Sequence, residues 1–114
     1  MSCSHTKFYS CLLVLGLPLL SACGQSEEEM ILAKGKEIFD GTCKVCHAQG
    51  INGAPILGNQ KMWAKRITQG EDVLVEHAIN GFAKGMMPPR GGNPELSDQD
   101  IRAAVKYMLS NLEK

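Results

Sequence analysis

Cys43-Lys44-Val45-Cys46-His47 is the run on which the reading of this chain turns. Two thiols stand three positions apart and an imidazole follows at once. That is the attachment pattern of a c-type haem. The spacing follows from the chemistry. Each thiol adds across one vinyl group, which leaves two thioethers on one edge of the macrocycle. The next residue, His47, then projects toward the iron, where a neutral ring nitrogen is a good axial ligand. Two other chemistries use the same residue types. A Cys-x-x-Cys pair serves as a thiol redox couple or as half of a zinc site. Downstream of His47 the chain has no cysteine and a single histidine, His77, so a zinc site would lack its regular second pair. A thioredoxin-like domain needs strand–helix alternation around the motif, and none is visible. Haem attachment is the strongest of the three readings, and it implies single-electron chemistry.

The N-terminus bears on compartment. Lys7 is followed by an apolar stretch from Phe8 to Leu20, broken by Ser10, Gly16 and Pro18. This is shorter than the ~20 apolar residues of a membrane-spanning helix. It fits the hydrophobic region of a secretory signal. Leu20-Ser21-Ala22-Cys23 resembles the bacterial lipoprotein box, where cleavage precedes an acylated cysteine. An ordinary secretory cleavage site is the rival. The expectation is a removed signal peptide over 1–22, a tether over 23–29 lipidated at Cys23, and one domain over 30–114. Stable anchoring takes more than one acyl chain, at about 0.8 kcal/mol per buried methylene. Glu27-Glu28-Glu29 reads either as solvated tether or as the first turn of a helix, with acids at its positive end. Cys3 and Cys11 fall in the removed segment, so no disulfide and no free thiol are expected in the mature chain. Export also places the motif where covalent haem is added, outside the bacterial cytoplasm. The expected location is the periplasmic side of a bacterial membrane. Gly24, in place of the aspartate that retains lipoproteins at the inner membrane, leans toward the outer one.

Removal of 1–22 leaves 92 of the 114 residues, enough for one small domain. With three Phe, two Tyr and one Trp in the whole chain, the core is thin. Domains of this size need a staple, and the broad apolar faces of a covalent haem would serve. Twelve basic residues face twelve acidic ones, which gives no reason to expect a nucleic-acid partner.

Periodicity predicts helices and loops. The first helix is expected from Glu28 to Thr42, with Ile31, Gly35, Ile38 and Phe39 on one face. A glycine inside a helix costs up to ~1 kcal/mol relative to alanine, and marks a place where another backbone approaches. Two shorter helices are expected near 60–68 and 71–80. The last helix starts at Ser97, an N-cap with Asp100 three positions on. Its apolar stripe is Ile101, Ala104, Val105, Met108, Leu109 and Leu112. No strand, repeat or second domain is evident.

Gly85-Met86-Met87-Pro88-Pro89-Arg90-Gly91-Gly92 is a loop by composition. A stiff loop suits a weak ligand, because a thioether must be presented to iron without a large entropy cost. Met/His ligation raises the reduction potential. Both methionines also read as plain core fillers.

Together these segments resemble a class I c-type cytochrome, closest to the small bacterial cytochrome c-five group. The resemblance is carried by Gly35-x-x-x-Phe39, Cys43-x-x-Cys46-His47, Gly53-Ala54-Pro55, Trp63-x-x-Arg66, Gly70, Met87-Pro88-Pro89-Arg90-Gly91-Gly92, Leu96-Ser97-Asp98 and Ala104-x-x-Tyr107-Met108. It implies an all-α cytochrome c fold, with three to five short helices around one covalently attached haem c. It implies Met87 as the second iron ligand opposite His47. Pro55 would accept the proton from the other nitrogen of His47. Gly35, Phe39 and Tyr107 would form the crossing of the first and last helices. Trp63 matches an aromatic beside the haem propionate edge, with a core tryptophan as the bland alternative. Arg66 is a candidate propionate partner or a solvated cation. The cysteine pair that many members carry after the methionine loop is absent here, where Gly91-Gly92-Asn93-Pro94 stands instead.

The expected function is therefore electron transfer between periplasmic or membrane redox proteins, by a monomer that is not an enzyme. A ring of Lys44, Lys61, Lys65, Lys84 and Arg90 would favour an acidic partner. The alternative is a ligand-sensing haem domain in which Met87 is displaceable. His77 is a minor candidate for the iron.

Overall fold

The computed structural model describes Gly16 and residues 24–112. Apart from Gly16, the expected signal segment lies outside the described residues, as does the lipidation expected at Cys23. Helix α1, Glu27–Ile38, opens with a reciprocal cap. The Ser26 hydroxyl accepts from the Glu29 N–H at 3.2 Å, and the Glu29 carboxylate accepts from the Ser26 N–H at 2.8 Å. Glu27, Glu28 and Glu29 are the first turn of this helix, where acids complement the positive end of its dipole.

The helix changes pitch at Phe39. Phe39–Cys43 form a π-helical turn, and α2, Lys44–His47, continues from it. A π turn holds an extra residue, so it re-aims the side chains that follow. Phe39 stays buried in the core, while Cys43, Cys46 and His47 turn toward a cavity.

Helix α3, Gln60–Ile67, is capped by Asn59, whose side chain accepts from the Met62 N–H at 3.1 Å. Helix α4, Glu71–Asn80, runs between Gly70 and Gly81, both at positive φ. Helix α5, Asp98–Ser110, starts on the expected Ser97–Asp100 capping box.

The core joins Phe39 to Trp63, Val75, Ala78, Ile101, Val105 and Met108. Helix α1 crosses α5 at Gly35. A Cβ there would overlap the Ala103 carbonyl and lie 2.8 Å from the Tyr107 Cβ. The Phe39 and Tyr107 rings sit 5.6 Å apart beside the crossing. Of the α5 stripe, Ile101, Ala104, Val105 and Met108 are buried. Ala103 is buried too, outside that stripe, because it meets the glycine of α1. Among the described residues the β pairing is a single isolated bridge, Phe82–Met87.

Candidate functional site

The residues after His47 fold back over it. The Gly50 N–H donates to the Cys46 carbonyl at 2.9 Å, and the Leu57 N–H donates to the His47 carbonyl at 2.9 Å. This return brings the Pro55 carbonyl to 2.8 Å from His47 Nδ1. Nδ1 is then the protonated nitrogen, since a carbonyl only accepts. Nε2 keeps its lone pair, makes no hydrogen bond and opens on the cavity that His47 lines. Burial lowers the His47 pKa, the Pro55 bond opposes this, and the Arg66 charge adds to the lowering. The net result favours a neutral imidazole, the form that binds metal.

Trp63 braces this wall. Its ring stacks on His47 with centroids 6.2 Å apart, and its Nε1–H donates to the Ile56 carbonyl at 2.9 Å. That is the single donor an indole has. Trp63 therefore pins the returning loop and backs the histidine; it has no hydrogen left to offer a propionate. Arg66 gives one N–H to the Met62 carbonyl at 2.5 Å and keeps others for the cavity.

The opposite wall comes from the loop after α4. The Phe82 N–H donates to the Met87 carbonyl at 2.9 Å, and the Met87 N–H donates to the Phe82 carbonyl at 3.1 Å. Met87 is half-buried, whereas Met86 is 51% exposed. Arg90 is not part of a free cationic ring. Its guanidinium donates to the Leu96 carbonyl at 2.8 Å and pairs with Asp98 at 2.6 Å. It therefore ties the methionine loop to the start of α5.

These walls enclose a cavity of about 240 Å³ lined by Cys43, Cys46, His47, Pro55, Arg66 and Met87 among apolar side chains. A second cavity of about 300 Å³ shares His47, Arg66 and Met87, and adds Trp63, Lys65 and His77. No carboxylate lines either one. Among the described residues, four of the six large exposed apolar ones, Val45, Ile51, Phe82 and Met86, line the first cavity.

The alternatives to haem fit less well. Burial pushes the Cys43 thiol up to about 11. A redox-active pair needs the opposite, a thiol lowered toward thiolate. Among the described residues no group of three or more His, Cys, Asp or Glu is placed to hold a metal. His77 instead stacks on Phe82, with centroids 4.4 Å apart. Two thiols, one imidazole nitrogen and one thioether around a mostly apolar space suit a c-type haem. Pattern reading found these donors but missed Phe82, whose place opposite Met87 comes from the turn between them. The glycines Gly81 and Gly85 were the available signal.

A family model described as "Cytochrome C oxidase, cbb3-type, subunit III" matches residues 31–108. Cytochrome c-555 of Chlorobaculum thiosulfatiphilum is 44% identical over 79 residues, covering 68% of this chain and 92% of that protein. Cytochrome c5 of Ectopseudomonas mendocina is 35% identical over 68 residues, covering 58% of this chain and 76% of that one. A solved structure titled "Crystal structure of electron transfer complex of nitrite reductase with cytochrome c" aligns at a TM-score of 0.64. It is 38% identical and covers 69% of this chain and 94% of the matched one.

Proposed function

This chain belongs to the class I c-type cytochromes, close to the cytochrome c5 group, and on that premise we propose how its residues serve the cofactor. It is a haem c electron carrier. Cys43 and Cys46 would hold the haem, and His47 and Met87 would ligate its iron. A bound haem supplies one-electron iron chemistry. The observation that carries this reading is the meeting of all four residues on one mostly apolar cavity without a carboxylate.

Each neighbour has a task. Pro55 fixes the tautomer and orientation of His47, as outer partners of ligating histidines do. Arg66 and Lys65 supply positive charge for the propionates of the macrocycle. Val45, Ile51, Phe82 and Met86 shield the site from water and leave an apolar mouth. With His47 and Met87 both committed to the iron, the site would suit transfer and not turnover. Carbon monoxide added to the reduced protein at neutral pH tests this. Slow and incomplete binding is expected. Rapid, complete binding would overturn the carrier reading in favour of a sensing domain with a displaceable methionine.

The partners are redox proteins. The matched cytochrome in complex with nitrite reductase supports partnership of that kind. Lys44, Lys61, Lys65 and Lys84 would favour an acidic face on the partner. Leu20-Ser21-Ala22-Cys23 supports a lipid anchor at Cys23 on the periplasmic side of a membrane. No helix among the described residues is long and apolar enough to cross one. Cys23→Ser should move the protein from the membrane fraction to the soluble one; unchanged fractionation would remove the anchor.

A further inference from the structure

Met87 ends a tight loop that begins at Gly81. Gly81, Ala83, Lys84 and Gly85 have φ of 86°, 53°, 55° and 87°. Ala83 and Lys84 carry a Cβ, for which this left-handed region is unfavourable. The loop holds that shape by closing on itself, through the two backbone bonds between Phe82 and Met87. Phe82 is therefore the residue that shares its position with Met87. Yet Phe82 is 47% exposed, and residues 83–86 beside it are exposed as well. Its aromatic contact is His77, stacked at 4.4 Å and 26°.

His77 stands in the last turn of α4, and α4 is fixed in the core by Val75 and Ala78. Gly81 lies between helix and loop with no spare room. A Cβ there would come within 3.1 Å of the Met87 carbonyl oxygen and 3.0 Å of Pro89 Cδ. His77, Phe82 and Met87 line one cavity.

We propose that His77 is a positioning residue for Met87: stacked on Phe82, it fastens the strained methionine loop to α4. The proposal rests on Met87 as the iron ligand. Without the stack, Phe82 loses its link to the helix and the strained backbone is freer to relax. Met87 moves with Phe82, because two hydrogen bonds join them. A thioether binds iron weakly, so small losses of position appear as easier displacement.

The test compares three holoproteins: wild type, His77→Ala and His77→Phe. Each ferric protein is titrated with imidazole, and the far-red methionine–iron band and the reduction potential are read on the same samples. His77→Ala should bind imidazole roughly three- to tenfold more tightly, the size of an aromatic pair. Its band should weaken and its potential fall. His77→Phe keeps a ring and should return all three readings close to wild type. If His77→Ala yields no folded holoprotein, His77→Leu, with bulk and no ring, takes its place with the same expectation. An alanine or leucine variant that matches wild type in all three readings overturns the proposal. So does a His77→Phe variant as loosened as the alanine one. A wild type without the far-red band would overturn the Met87 reading itself, and the proposal with it. With the band present in wild type, an indifferent His77 variant sinks the proposal alone.

Discussion

His47 is set for ligation by its own chain. The Pro55 carbonyl takes the Nδ1 proton at 2.8 Å, and burial disfavours the imidazolium. Met87 depends instead on its loop, and its neighbour Met86 is the control. Met87→Ala should abolish the far-red band, lower the potential and open the iron to carbon monoxide, whereas Met86→Ala should leave all three unchanged. Ferric spectra and a carbon monoxide titration check this; the reverse pattern would move the ligand to Met86. Cys43, Cys46 and His47 were legible as residues because covalent attachment constrains their spacing. Met86 and Met87 were not separable by chemistry, since both are thioethers in one loop. The family resemblance implies Met87, and Met87 is the less exposed of the two.

At the scale of elements, two helix features carry testable weight. The first is the crossing of α1 and α5. Gly35→Ala forces a methyl against the Ala103 carbonyl and should cost on the order of 1–3 kcal/mol, as overpacking does. A thermal melt of the holoprotein measures it; an unchanged midpoint would mean that the helices can part freely. The second is the cap of α5. The Ser97 backbone N–H, and then its hydroxyl, hold the Asp100 carboxyl below its ordinary pKa of 3.8. A carboxyl with a depressed folded pKa adds stability that is complete above the ordinary value and lost as pH falls through the folded one. Asp100→Asn should therefore melt below wild type at neutral pH, and the two should converge below pH 3.8. A gap that persists in strong acid would assign the effect to something other than ionisation. Caps and the α5 stripe were readable because both are local patterns. The π turn at Phe39–Cys43 was not, because a one-residue change of pitch leaves no mark on apolar spacing. The Phe82–Met87 bridge is only half legible: Gly81 and Gly85 suit a tight turn, but Ala83 and Lys84 also take left-handed backbone, which neither residue type favours.

Across the whole molecule, charge and core point the same way. Twelve basic and twelve acidic residues cancel in sum, yet the cavities carry Arg66 and Lys65 and no carboxylate. Arg66 and Lys65 would answer the propionates, so steering toward an acidic partner would fall to the exposed Lys44, Lys61 and Lys84, and salt screens such steering. Stopped-flow electron transfer with an acidic protein acceptor should slow as ionic strength rises; indifference to salt would remove the steering. The all-helical outline was legible from periodicity. The closing of two distant loops over one cavity was not, because it is a tertiary event with no local signature. The core residues Ala78, Ile101 and Met108 line that cavity, so the proposed haem site and the hydrophobic core are one region. Trypsin provides the most direct test of the central claim, because Lys44 lies between the two cysteines. After alkylation and digestion, peptides 37–44 and 45–61 should travel as one species carrying a single haem, with neither cysteine alkylated. Two separate peptides of bare mass, each with an alkylated cysteine, would contradict the account.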